Sequence, residues 1–292
     1  SLGSDYSQMI MWDRHVGPGG MSEDCLNLNV WTPGVNDNSK RPVLVSFHGG
    51  GWTTGSGNGP MYDGAQLARF GDVVVVTVTH RLGAFGYLHL ADLGAPAEFA
   101  DAGNVGVMDM VASLEWVKRN IGAFGGDNGN VTIFGESAGG MAVQKLMTMP
   151  GAKGLFHKAA VQSGAGRENT LYLDKPNARG LPSAESDGET FVKSIGVTAG
   201  SVSDLRAISS DAIIAAGDPS TFAGGGPIID GKIIPMTVLE TFKAGRQAQV
   251  PYLVGYNSAE FPVIAEDLDA SVMRTTGAKL SVAWHCGHAA GG

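Results

Sequence analysis

The most continuous apolar run is Asp72 to Thr79, almost unbroken valine. β-Branched residues without alternation predict a central strand covered on both faces. Val43-Leu44-Val45-Ser46-Phe47 reads the same way, with Pro42 tolerated at the first strand position. Cys25 to Trp31 alternates apolar and polar residues, the pattern of a strand with one face nearer solvent. Val131 to Phe134, Lys158 to Gln162 and Val250 to Tyr256 predict further strands. Between them the period changes. Met110, Val111, Leu114, Val117 and Ile121 fall on one helical face, so Val105 to Asn120 predicts an amphipathic helix. Ala138 to Met147, stopped by Pro150-Gly151, and Met236 to Ala244 predict two more. Strands alternating with helices require crossover connections, so the expected fold class is α/β, with a mostly parallel central sheet and flanking helices.

From residue 167 to about 220 the pattern weakens into polar and glycine-containing loops, with two or three short helices expected near Glu185–Ile195 and Asp204–Ala216. This stretch reads as a small cap or lid insertion within one domain spanning residues 1–292. Gly226 to Pro235 predicts a hairpin around Asp230-Gly231. Beyond residue 260, Val263 to Thr275 predicts a helix and Lys279 to Trp284 a strand.

Composition narrows the class. Hydrophobic residues make up 43% and charged residues 16% of the chain, as in a packed globular protein. The net charge of −8 comes with no basic cluster, so neither nucleic acid nor an anionic membrane surface is an expected partner. No apolar run is long enough to span a bilayer, and the first ten residues lack the pattern of a signal peptide. Cys25 and Cys286 lie near opposite ends; as free thiols they fit a reducing, cytoplasmic compartment. Cysteines and histidines show no metal-ligand spacing, so no metal and no cofactor are expected.

The chemistry concentrates at two glycine-rich stretches. Gly135-x-Ser137-x-Gly139 follows a strand and precedes a helix, the context of a nucleophile elbow. An ordinary glycine-bounded turn would look the same in isolation. A serine hydroxyl needs a base, an acid behind it and donors for the oxyanion. His48-Gly49-Gly50-Gly51 also follows a strand and suits the donors: the amides of Gly50, Gly51 and Ala138 would face the developing charge. A phosphate cradle would need a lysine and Ser/Thr after the glycines, and Trp52-Thr53-Thr54 supplies no lysine.

These stretches carry a resemblance. Ser22 to Val30, His48 to Trp52, Arg81 to Gly86, Asn104-x-Gly106-x-x-Asp109, Trp116-Val117-x-x-Asn120-Ile121, Phe124 to Asp127, Gly135 to Gly140 and Gln162-Ser163-Gly164 together resemble the type-B carboxylesterase/lipase family. The resemblance is nearly continuous from Met21 to Ala165 and patchy afterwards. It implies an α/β-hydrolase fold and hydrolysis of small-molecule carboxylic esters through a Ser–Glu–His triad and an acyl-enzyme. Glu260 matches the family's acid, against a rival reading as a solvated helix cap. Glu136 would be a second, buried carboxylate modulating the histidine, and Ser163 either joins that network or is a turn serine. Trp52 and Phe85 would line an ester pocket or belong to the core. His48 would brace the oxyanion loop, and His80 stands where the family more often has tyrosine.

The base departs from the family pattern. Family members place their histidine far beyond Glu260, so the chain reads either as truncated at both ends or as a shortened working enzyme. Of the histidines after Glu260, chain order favours His288 over His285. The alternatives to an active esterase are a catalytically impaired fragment or an adhesion-type binding relative of the same fold.

Overall fold

A computed structural model describes residues 21–90, 99–164, 170–197, 202–217 and 225–257. Strands β1 (Leu28–Trp31), β2 (Arg41–Phe47), β3 (Val74–Val78), β4 (Gly126–Glu136), β5 (Lys158–Gln162) and β6 (Tyr252–Gly255) form one sheet in the order β1-β3-β2-β4-β5-β6. Only the β1–β3 pairing is antiparallel, so the mostly parallel sheet expected from the crossovers is present.

Helices α1 (Ala65–Gly71), α2 (Gly83–Tyr87), α3 (Val105–Asn120) and α4 (Ala138–Thr148) flank the sheet, followed by α5 (Ala184–Ser194), α6 (Val202–Ala207), α7 (Ser210–Ala216) and α8 (Val238–Lys243). The valine-rich strand is central in chemistry as in sequence: every residue of β3, Thr77 included, is buried. Val43, Val45 and Phe47 of β2, Val131 and Ile133 of β4, and Met110, Leu114 and Val117 of α3 join it in one core with Val143 and Leu146 of α4. Each such side chain contributes about 1.5–3 kcal/mol by leaving water.

The two or three short helices expected near Glu185–Ile195 and Asp204–Ala216 are three among the described residues, because the Ser209 hydroxyl accepts from the Ala212 amide and starts α7 afresh. One expectation needs correcting. The hairpin over 226–235 does not form. Its turn is present, with Gly231 at φ 76°, but the Asp230 carboxylate takes the Lys232 and Ile234 amides, and Ile229 bridges in parallel to Tyr172 instead. The short helices α1 and α2 were not anticipated; seven and five residues give too little periodicity to read. The expected helix over 263–275, the strand over 279–284, Glu260, His285, Cys286 and His288 all lie outside the described residues.

Candidate active site

Ser137 stands at the apex between β4 and α4, half-buried, with φ 54° and ψ −123°. That conformation is unfavourable for a residue with a Cβ, and its surroundings hold it in place. The Ser137 amide donates to the Gln162 carbonyl of β5 at 2.9 Å, and the Ser137 carbonyl accepts from Met141 at 3.0 Å. Tight packing explains the glycines. A methyl on Gly135 would meet the backbone of Gly139 at 2.5 Å, one on Gly164 the Ser137 carbonyl at 2.6 Å, and one on Gly139 would overlap the Phe47 carbonyl. The elbow can form only where three strands and a helix start can touch through bare backbone.

The register brings the second glycine stretch alongside. Phe47 pairs with Gly135, so the chain leaving β2 runs past the elbow. A methyl on Gly49 would lie 3.4 Å from Ser137 Cβ. The peptides after it are oriented by their carbonyls. His48 Nδ1 lies 2.8 Å from the Gly49 oxygen, so that nitrogen carries the proton and donates. The Gly50 oxygen accepts from the amides of Thr53 and Thr54, at 3.2 and 3.0 Å, and from the Thr54 hydroxyl at 3.0 Å. In a trans peptide the N–H points opposite its C=O, so these bonds turn the amides of Gly50 and Gly51 outward. Neither amide, nor that of Ala138 at the first position of α4, has a hydrogen-bond partner among the described residues. Positive φ at Gly50 (111°) and Gly51 (64°) is what lets the loop make this turn.

The Gly49 amide is taken differently: it donates to the Tyr62 hydroxyl at 3.3 Å. Burial and the nearby Glu136 carboxylate push the Tyr62 phenol above its ordinary range. Nothing in the sequence spacing pointed to Tyr62, which ends a single 3-10 turn, Pro60–Tyr62, outside the matched motifs. His48 and His80 are both buried, and their rings stack face to face. Desolvation lowers His48 from 6.5 to about 3 and His80 to about 4, so both are neutral rings over the whole physiological range.

Glu136 is not the buried carboxylate expected. It closes β4 where the sheet ends and is exposed, with Oε2 bordering Gly49. Ser163 sits at φ 49° just past β5, and its amide donates to Gly255 at 2.8 Å. Through this bond the end of β6 reaches the same sheet edge as Ser137, and the chain passes Asn257 three residues before Glu260. Trp52 lies edge-on to Tyr87 with ring centroids 5.7 Å apart and packs on the core, while Phe85 is half-buried. Behind the loop, Arg81 grips Asp109 through Nε (2.9 Å) and Nη2 (2.6 Å), and its amide donates to the same carboxylate.

Among the described residues no cluster of three metal-ligating side chains occurs, and no helix is long and apolar enough to cross a membrane. Cys25 has no disulfide partner there.

A mostly parallel sheet whose β4 turns through Gly-x-Ser-x-Gly into α4, beside a glycine loop leaving β2, is the arrangement of the α/β-hydrolases. The chain belongs to the carboxylesterase family, whose sequence model matches residues 4–281. It is 37% identical over 268 residues to the para-nitrobenzyl esterase of Bacillus subtilis, covering 89% of this chain and 52% of that protein. To human carboxylesterase 3 it is 39% identical over 248 residues, covering 82% and 40%. The solved carboxylesterase of Geobacillus stearothermophilus at pH 6.2 superposes with a TM-score of 0.75 at 40% identity, covering 85% of this chain and 50% of that one. The chain therefore spans about half the length of the relatives it matches.

Proposed function

We propose that this chain hydrolyses small-molecule carboxylic esters through an acyl-enzyme on Ser137. The observation that carries the reading is the strained apex of the elbow, beside amides of Gly50, Gly51 and Ala138 that have no partner among the described residues. Ser137 Oγ attacks the ester carbonyl and loses its proton to a histidine. The carbonyl oxygen, now negative, is met by the three amides, and the alcohol leaves with the proton returned. Water then repeats the sequence on the acyl-serine. Glu260 backs the histidine by accepting its other N–H, and His288 is the candidate for the base. Glu136 and Ser163 border the site and shape its field. Residues 167–220 serve as the cap, supported by Ile213 and Ala216 of α7 packing on the core. The names of the relatives, para-nitrobenzyl esterase and carboxylesterase 3, support the ester class.

Labelling by a fluorophosphonate and a burst with p-nitrophenyl acetate, on wild type and on Ser137→Ala, test this. Wild type is expected to label and burst and the variant to do neither. A wild-type protein that does not label would sink the reading. His288→Ala and His285→Ala then test the base.

A further inference from the structure

Resting on the esterase reading, we propose that His80 is a positioning residue: stacked on His48, it fixes the peptide that presents the Gly50 amide to the oxyanion. The ring centroids are 4.5 Å apart and the planes differ by 4°. His48 acts on the loop through one bond, from Nδ1 to the Gly49 oxygen at 2.8 Å. That oxygen and the Gly50 N–H belong to one planar peptide, so the angle of the imidazole sets the angle of the donor.

A single hydrogen bond does not fix a ring. Among the described residues His48 Nε2 is buried with no hydrogen-bond partner, so the ring has no second polar anchor there. Its orientation rests on packing. Gly55 crowds the Nδ1 edge, Tyr62 meets the ring edge-on at 6.3 Å, and His80 covers a face. His80 is itself tied down by Nδ1 donating to the Arg81 oxygen at 3.0 Å, and Arg81 by Asp109. A second tie runs alongside, from the Gly83 amide to the Trp52 oxygen at 2.8 Å. The segment from His80 to Gly83 is thus the platform on which the loop from His48 to Trp52 is mounted.

A neutral aromatic face is what this platform requires. The titratable groups around the pair are Tyr62 at the Gly49 amide, Glu136 bordering Gly49, the Arg81–Asp109 pair, and Cys25 near that pair. Tyr62 and Glu136 lie on the loop side, so among the described residues the carboxylate on the His80 side is Asp109, already engaged by Arg81.

The test compares wild type, His80→Ala and His80→Phe for p-nitrophenyl acetate turnover across pH. Amide exchange is followed at Thr53 and Thr54, with Val76 as the control for the sheet. His80→Ala is expected to lower kcat by about tenfold to a hundredfold with KM within about twofold, because the loss falls on the transition state. Thr53 and Thr54 should exchange faster while Val76 stays protected. His80→Phe, keeping the ring without a titratable nitrogen, should restore kcat to within about threefold near neutrality. Unchanged kcat and unchanged Thr53 and Thr54 exchange in His80→Ala overturn the proposal. So does a His80→Phe protein with an intact sheet but unrestored kcat. If His80→Ala loses Val76 protection, His80→Phe decides alone. A wild type that neither turns over nor labels fails the esterase reading instead. Loop exchange in the variants still decides whether His80 positions the loop.

Discussion

The amide of Ser137 donates to the carbonyl of Gln162 at 2.9 Å, so the apex of the elbow is held by the neighbouring strand as well as by the helix it begins, whose Met141 amide takes the Ser137 carbonyl. The strain at φ 54° is then supported from outside. Ser137→Gly should relieve it and melt higher than Ser137→Ala, by about 1 kcal/mol in chemical denaturation, while both lose fluorophosphonate labelling. Equal stabilities would mean that the apex is unstrained.

Gly50 and Gly51 should respond differently to alanine. A methyl on Gly50 collides with the Thr54 backbone at φ 111°, whereas Gly51, at φ 64°, has nothing within 4 Å. Gly50→Ala is expected to cut kcat by about a hundredfold or more, the scale of a lost oxyanion donor. Gly51→Ala carries mainly the left-handed backbone cost of about 1–2 kcal/mol and should lose less. Steady-state kinetics on the two variants gives the comparison.

Arg81 is about a third exposed and Asp109 only 6% exposed, so removing the acid strands a cation that is partly hydrated. Asp109→Ala should cost about 2–3 kcal/mol, below the range for a fully buried pair. Asp109→Asn should cost less, since the amide still reaches the Arg81 amide. Urea midpoints with an unchanged slope would confirm the ordering.

The folded values of His48, about 3, and His80, about 4, lie below their ordinary 6.5. The unfolded chain therefore binds more protons between those limits, and folding stability rises with pH there. The contribution is complete above about pH 6.5 and drains away as the pH falls towards 4 and then 3. Denaturation midpoints compared at pH about 7.5 and about 5 should differ in wild type and differ less in His80→Phe. A flat profile in wild type would contradict the buried neutral pair.

Helix α8 opens with a reciprocal cap: Thr237 Oγ1 accepts the Glu240 amide while the Glu240 carboxylate takes the Thr237 amide and hydroxyl. With only six residues the helix depends on it. Thr237→Ala should cost about 1 kcal/mol by thermal denaturation and leave labelling of Ser137 unchanged.

Much of this was legible because periodicity reports burial. Val105–Asn120 and Lys158–Gln162 have the bounds that their patterns predicted, since one face of the helix and alternate residues of the strand are buried and were chosen by packing. The hairpin over 226–235 misled because Asp-Gly encodes a turn but not what its flanks pair with; Tyr172, far away in sequence, decided that. Ser137 and the loop glycines were readable because backbone geometry restricts them to few residue types. Tyr62 and the His48–His80 stack were not, because any spacing along the chain can place two rings in contact. Glu136 was misplaced for a related reason: adjacency to Ser137 said nothing about where the strand stops.

The glycines of the elbow differ from Gly64 and Gly103 in what stands opposite them. Gly64 faces side chains of Val75 and Trp31, and Gly103 that of Ile228, so a larger residue there could be accommodated by trimming its neighbour. Gly135, Gly139, Gly140 and Gly164 face carbonyls and α-carbons. A backbone atom cannot be mutated away. In any library built on this protein, these four positions should accept no partner substitution that rescues them, whereas Gly64 and Gly103 should recover through paired changes. The elbow is thus closed to compensatory evolution, while the frame that carries it remains free to drift.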